Sequence, residues 1–136
     1  MLRLVISEPS LELVAVNDLV DVDNLAYLLR FDTVYGRYSN PVAVEDRDLV
    51  VAGRKLPTSS YGDPSELPWK DLGIELVFEC TGAFTRREDL EKHVRAGARF
   101  VLLSSPSKDE AVATVIHGAN LPGSESRIIS CARRGT

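Results

Sequence analysis

An open α/β fold is predicted for this chain: a mostly parallel sheet flanked by helices, with a small antiparallel hairpin insertion. Three observations predict it. Continuously apolar runs such as Leu13-Val14-Ala15-Val16 and Phe100-Val101-Leu102-Leu103 are what strands buried on both faces require. Helical patterns alternate with them, as at Val22, Leu25, Ala26 and Leu29. Three strand ends then carry small polar groups: Asn17-Asp18, Thr81-Gly82 and Ser104-Ser105. In open α/β sheets the carboxyl ends of the strands are where ligands sit.

The totals bound the reading. The 136 residues suffice for one domain with a core, and 44% apolar with 26% charged residues is ordinary for a globular protein. A net charge of −4 argues against nucleic acid or an anionic membrane surface as partner, because both select a basic face. Cys80 and Cys131 stand far apart and in no metal-ligand spacing, so no metal site is expected and a reducing, cytoplasmic setting is the default. No apolar run approaches the roughly 18 residues of a membrane span.

Taken in order, Leu2, Val5 and Ile6 suit one face of a helix, although Leu4-Val5-Ile6 also suits a short strand. Leu11 to Asp18 reads as a parallel strand ending in an acid. Asp21 can cap the helix that follows and stops near Arg30. Phe31 to Tyr38 reads as a polar and aromatic loop. Val42-Ala43-Val44, Leu49-Val50-Val51 and Lys55-Leu56 are joined by short connections that suit antiparallel hairpins. Asp63-Pro64 starts a short helix, with Leu67, Trp69 and Leu72 as its anchors. Ile74 to Glu79 is the next parallel strand. Thr85-Arg86-Arg87-Glu88 is a capping box opening a helix that buries Leu90 and Val94 and closes at Gly97. Phe100–Leu103, Ala113–Ile116 and Arg127–Ile129 complete the strands.

The polar strand ends suggest a nucleotide crevice. A carboxylate such as Asp18 accepts hydrogen bonds from two ribose hydroxyls, and backbone beside a glycine approaches phosphate or sugar closely.

These residues also carry a resemblance. Leu13-Val14-Ala15-Val16-Asn17-Asp18, Leu25 through Arg37, Pro68-Trp69-Lys70-Asp71-Leu72-Gly73, Glu79-Cys80-Thr81-Gly82-Ala83-Phe84-Thr85 and Ala96-Gly97-Ala98 through Ser107 run in the order found in one family. From about Leu11 to Ile129 the chain resembles the N-terminal, NAD-binding domain of glyceraldehyde-3-phosphate dehydrogenase, with residues 130–136 a divergent tail. A Rossmann-like fold is implied. So is a dinucleotide cofactor, NAD, with NADP the alternative; Asp18 leans to NAD by repelling a 2′-phosphate. The resemblance places Asp18 on the adenosine ribose with Asn17 beside it, Thr81 and Gly82 along the cofactor, Phe84 near the adenine and Ser104 beside the nicotinamide ribose. It puts Asn120 in a loop near the active site. Cys80 stands where the family often has Ser and is expected to be a small buried residue; Gly62 stands where it often has Arg. A homo-oligomer is implied for the intact enzyme.

Two departures qualify this. None of the nine glycines forms G-x-G-x-x-G, the turn whose backbone N–H groups meet a pyrophosphate. That turn normally precedes the ribose acid by roughly 20 residues. Counting back from Asp18 puts it before Met1, so the first strand and glycine-rich loop are expected to be missing. The substrate domain is expected to be absent as well. After Ile128-Ile129-Ser130 the family carries Ser-Cys-Thr-Thr-Asn, whereas here Cys131-Ala132-Arg133-Arg134-Gly135-Thr136 follows. Alignment without gaps puts Arg134 at the nucleophile; Cys131 is a weak candidate, and no other catalytic residue is assigned. His93 and His117 are expected to be structural or exposed.

The leading function is therefore the cofactor portion of an oxidoreductase that oxidises and phosphorylates an aldose phosphate aldehyde, inactive as this chain alone. The alternatives are a non-catalytic nucleotide- or protein-binding module and a non-functional truncated product.

Overall fold

The computed structural model describes residues 1–132, in two compact units that divide after Gly62. Arg134 lies outside the described residues.

The first unit opens with helix α1 (Leu2–Ser7), which settles the helix-or-strand ambiguity in favour of the helix and buries Val5. Strand β1 (Val16–Asn17) is much shorter than the run from Leu11 to Asp18 suggests. It pairs in parallel with a late partner, Val16 opposite Thr58 and Asn17 opposite Ser59. That partner follows Pro57, which accepts from Val16 N but has no N–H to extend the ladder. Helix α2 (Val22–Arg30) starts as expected: Asp21 Oδ1 accepts from Asp23 N at 2.9 Å and Asn24 N at 3.3 Å. Its far end is held by Arg3, whose guanidinium donates to Leu29 O and Gly36 O and lies over the Tyr38 ring.

The expected loop from Phe31 to Tyr38 is instead a hairpin, β2 (Phe31–Asp32) against β3 (Gly36–Arg37). Asp32 Oδ1 accepts from Val34 N and Tyr35 N and so builds the turn. Strands β4 (Val42–Glu45), β5 (Asp48–Val51) and β6 (Arg54–Leu56) form the antiparallel meander the sequence predicts. The partner of β1 is β7 (Thr58–Ser59). Ala26 and Leu29 of α2 pack with Val42, Leu49, Val51 and Leu56 to make this unit's core, with Leu2 and Ile6 of α1 at its margin.

The second unit begins with a single 3-10 turn, Pro64–Glu66, where Asp63 Oδ1 accepts from Ser65 N. Leu67 and Trp69 are buried anchors as expected, Leu72 only half-buried. Then follow β8 (Leu76–Glu79), α3 (Arg87–Arg95), β9 (Phe100–Leu103), β10 (Ala113–Thr114) and β11 (Ile128–Ser130). The four strands form one wholly parallel sheet in the order β10-β11-β9-β8. Leu90 from α3 meets Val101, Leu103 and Val112 in the core. The fold is thus the α/β, Rossmann-type class with an antiparallel insertion.

One start signal is corrected. Helix α3 is capped by Arg86, without a side-chain cap bond, and the Thr85 capping box does not form. Thr85 is buried, and its carbonyl accepts from Lys108 N and Ser107 Oγ, which holds it outside the helix. The helix closes as expected: Gly97 takes φ +119°, a conformation that favours glycine.

Candidate functional site

The site residues expected from sequence divide between the units, Asn17 and Asp18 in the first and Thr81, Gly82, Phe84 and Ser104 in the second.

In the first unit, β1 delivers Asn17 and Asp18 to its carboxyl end. Asn17 Oδ1 accepts from Tyr61 N and Ser59 Oγ, both at 2.9 Å, while its Nδ2 donates to Tyr61 O. Asn17 is therefore a structural clamp as well as a neighbour of the acid. Asp18 N donates to Ser59 O, which fixes the backbone, and Oδ1 accepts from Val20 N at 2.9 Å. The half-buried carboxylate is thus aimed by its own turn. An open groove of about 600 Å³ elsewhere in this unit is lined by Arg30, Phe31, Arg37, Tyr38 and residues 39–42, so neither Asn17 nor Asp18 borders it. The strand-end chemistry, a carboxylate at the end of a parallel strand, is the more specific signal.

In the second unit, the ends of β8 and β9 lie together. Ser104 N donates to Glu79 O at 3.0 Å, joining the Ser104 end to the Thr81-Gly82 turn. The turn is built from inside: Thr81 N and Thr81 Oγ1 both donate to Glu79 Oε1, and Ala83 N donates to Thr81 Oγ1. Gly82 has φ +73°, with open space where a Cβ would stand, so backbone conformation rather than crowding calls for glycine in this turn. Phe84 follows, half-buried. Ser105 Oγ is buried without a hydrogen-bond partner among the described residues. An orphan hydroxyl beside Ser104 is what a strand end looks like when a polar ligand completes it. In this unit these groups suit the polar part of a dinucleotide; in the first unit, taken by itself, the Asp18 carboxylate suits ribose hydroxyls.

The group that supports this turn is not among the site residues expected from the sequence. Glu79 and His93 are buried at 4% and 3% exposure. His93 Nε2 lies 3.0 Å from Glu79 Oε2, and Trp69 Nε1 donates to His93 Nδ1 at 3.1 Å. Burial alone would raise the Glu79 pKa; the hydrogen bonds from His93 and Thr81 outweigh it and hold the carboxyl below its ordinary value. Strand parity could have revealed this, since Glu79 shares the buried side of β8 with Val77. The same parity corrects Cys80: it is exposed, not buried.

Asn120 closes its own loop, Oδ1 accepting from Ile116 N and Nδ2 donating to Thr114 O. Cys131 is exposed, and its N–H donates to Leu103 O, at the same strand-end rim as Ser104. Among the described residues no hydrogen bond joins either cysteine to His93 or His117. His93 is structural and His117 is exposed, as expected.

Residues 1–87 match the family model for the glyceraldehyde 3-phosphate dehydrogenase, NAD binding domain. Among curated proteins, the glyceraldehyde-3-phosphate dehydrogenase of Geobacillus stearothermophilus is 43% identical over 118 residues, 87% of this chain and 35% of that protein. That of Chlamydia pneumoniae is 48% identical over 111 residues, 82% of this chain and 33% of that protein. That of Clostridium acetobutylicum is 41% identical over 129 residues, 93% of this chain and 39% of that protein. The chain spans about a third of the length of these relatives. With the parallel sheet and its polar strand ends, the match places this chain in the glyceraldehyde-3-phosphate dehydrogenase NAD-binding domain family.

Proposed function

We propose that this chain supplies the NAD-binding portion of a glyceraldehyde-3-phosphate dehydrogenase-like oxidoreductase, one that couples oxidation of an aldose phosphate aldehyde to its phosphorylation. The observation that carries the reading is the family match over residues 1–87, which takes in Asp18, Thr81, Gly82 and Phe84. NAD supplies the hydride acceptor in such a reaction. This chain's residues bind and orient it. The Asp18 carboxylate accepts from the adenosine ribose hydroxyls, with Asn17 holding the strand end that carries it. The Thr81-Gly82 turn borders the dinucleotide, Phe84 packs near the adenine, and Ser104 faces the nicotinamide ribose. The sequence contains no G-x-G-x-x-G turn, so affinity from these residues alone is weak, with Kd in the millimolar range.

Calorimetric titration of the chain with NAD tests this. Expected is a millimolar Kd that Asp18→Ala weakens by about tenfold, the worth of one charge-assisted hydrogen bond. Absence of any binding at about 10 mM NAD, roughly 3 kcal/mol of affinity, overturns the reading.

A second reading, a non-catalytic nucleotide-binding module, is favoured by one observation. His93 has both ring nitrogens engaged in the interior, and neither cysteine has an imidazole partner among the described residues. A thiol nucleophile needs such a base. Production of NADH by the chain, dependent on aldehyde substrate and phosphate, excludes this second reading.

A further inference from the structure

Beneath the Thr81-Gly82 turn, four side chains form a hydrogen-bonded series whose direction is determined by chemistry. An indole N–H can only donate, so His93 Nδ1, 3.1 Å from Trp69 Nε1, must present its lone pair. The proton of the neutral imidazole then sits on Nε2, which donates to Glu79 Oε2 at 3.0 Å. The other carboxylate oxygen, Oε1, accepts from Thr81 N at 2.8 Å and from the Thr81 hydroxyl. That hydroxyl has one hydrogen, so it meets Ala83 N, 3.1 Å away, as an acceptor. Every member of the series has a partner, which is the condition under which a buried polar network rigidifies what it touches. Of its two ends, one is the buried Trp69 and the other is the exposed turn.

We propose that His93 is a positioning residue for the Thr81-Gly82-Ala83 turn, acting through Glu79 to hold that turn preformed for the cofactor. The cofactor clause rests on the function proposed above; the positioning clause does not. Preforming matters because a turn ordered only on binding subtracts its ordering cost from the affinity. The series also sets what the turn can offer. The Thr81 hydroxyl proton is directed inward, so towards a ligand Thr81 acts only through lone pairs and backbone.

The test is amide hydrogen exchange, followed by NMR in the whole chain, with NAD titrations on the same variants. His93→Leu is expected to speed exchange at Thr81 and Ala83 by about tenfold, the loss of one hydrogen bond to a charged group, while Val101, whose N–H bonds Arg127 O, is unchanged. His93→Gln, whose side-chain amide can donate to Glu79 in place of Nε2–H, restores exchange to within about threefold of the unsubstituted chain. NAD affinity follows the same order. Unchanged exchange at Thr81 and Ala83 in His93→Leu overturns the proposal, as does failure of His93→Gln to restore it. If His93→Leu does not fold, His93→Asn decides, since its shorter amide can still accept from Trp69 and leaves Glu79 without this donor: faster exchange at Thr81 and Ala83 supports the role, unchanged exchange refutes it. Should the exchange order hold in a chain that binds no NAD, the positioning role stands and the cofactor reading fails.

Discussion

Asn17 is tied to Tyr61 through both ends of its side-chain amide: Oδ1 accepts from Tyr61 N at 2.9 Å and Nδ2 donates to Tyr61 O at 3.1 Å. With Ser59 Oγ also on Oδ1, one side chain reinforces the two-residue β1–β7 pairing. Asn17→Ala is expected to cost about 2 kcal/mol, since it strands polar groups that the amide satisfied. Asn17→Asp, which keeps the acceptor and loses the donor, is expected to cost less. Urea unfolding midpoints of the two variants check the order.

Gly97 stands where no side chain fits. A Cβ there would come within 2.5 Å of Lys70 N, and the residue already has φ +119°. Gly97→Ala is expected to destabilise by about 3 kcal/mol or more, combining backbone strain with a clash against main chain that has little room to yield. Gly82→Ala, with open space at its Cβ, meets the strain alone and is expected to cost about 1–2 kcal/mol. Thermal melts of the two variants separate the effects.

Glu79 makes stability depend on acid. Its carboxyl is held below the ordinary value in the fold by His93 and Thr81, against the opposing effect of burial, so the folded protein binds the proton less readily than the unfolded chain. The contribution is complete above the unfolded carboxyl's pKa of about 4.3 and is lost as pH falls through the lower folded value. Denaturant midpoints measured from pH 6 to pH 3 are expected to fall at the acid end. In Glu79→Gln, which has no carboxyl to titrate, stability is lower at neutral pH and this part of the decline is missing.

Both thiols are exposed. The folded chain is expected to react with two equivalents of a disulfide reagent such as DTNB without denaturant, and Cys80→Ser to leave one. A Cys80 thiol that reacts only after unfolding contradicts its place beyond the end of β8.

Legibility from sequence followed how local the deciding interactions are. Helix α2 was readable because its apolar positions recur every three or four residues and Asp21 caps its own helix. The β4-β5-β6 meander was readable for the same reason, since short connections join adjacent strands. Thr85 misled because a carbonyl contact with Lys108 and Ser107, more than twenty residues away, outweighs its local signal. Cys80 misled because residue type suggests a buried cysteine, and the burial of Glu79 gave no signal because an acid is ordinarily exposed. Strand parity reverses both, and the donors that make a buried Glu79 tolerable come from Thr81, two residues on, and from His93 on α3. Of the candidate site, the strand ends were legible and the support beneath them was not.

The order β10-β11-β9-β8 puts the last strand among the described residues inside the sheet, with Ile129 between Leu102 and Ala113. A ribosome therefore delivers β8, α3, β9 and β10 before the piece that joins them. Until residues 128–130 emerge, the facing edges of β9 and β10 have no partner and are open to wrong pairings. Sheet closure in this unit is thus a long-range event that waits for residues 128–130, and until then two strand edges are exposed to misfolding that a chaperone would have to prevent.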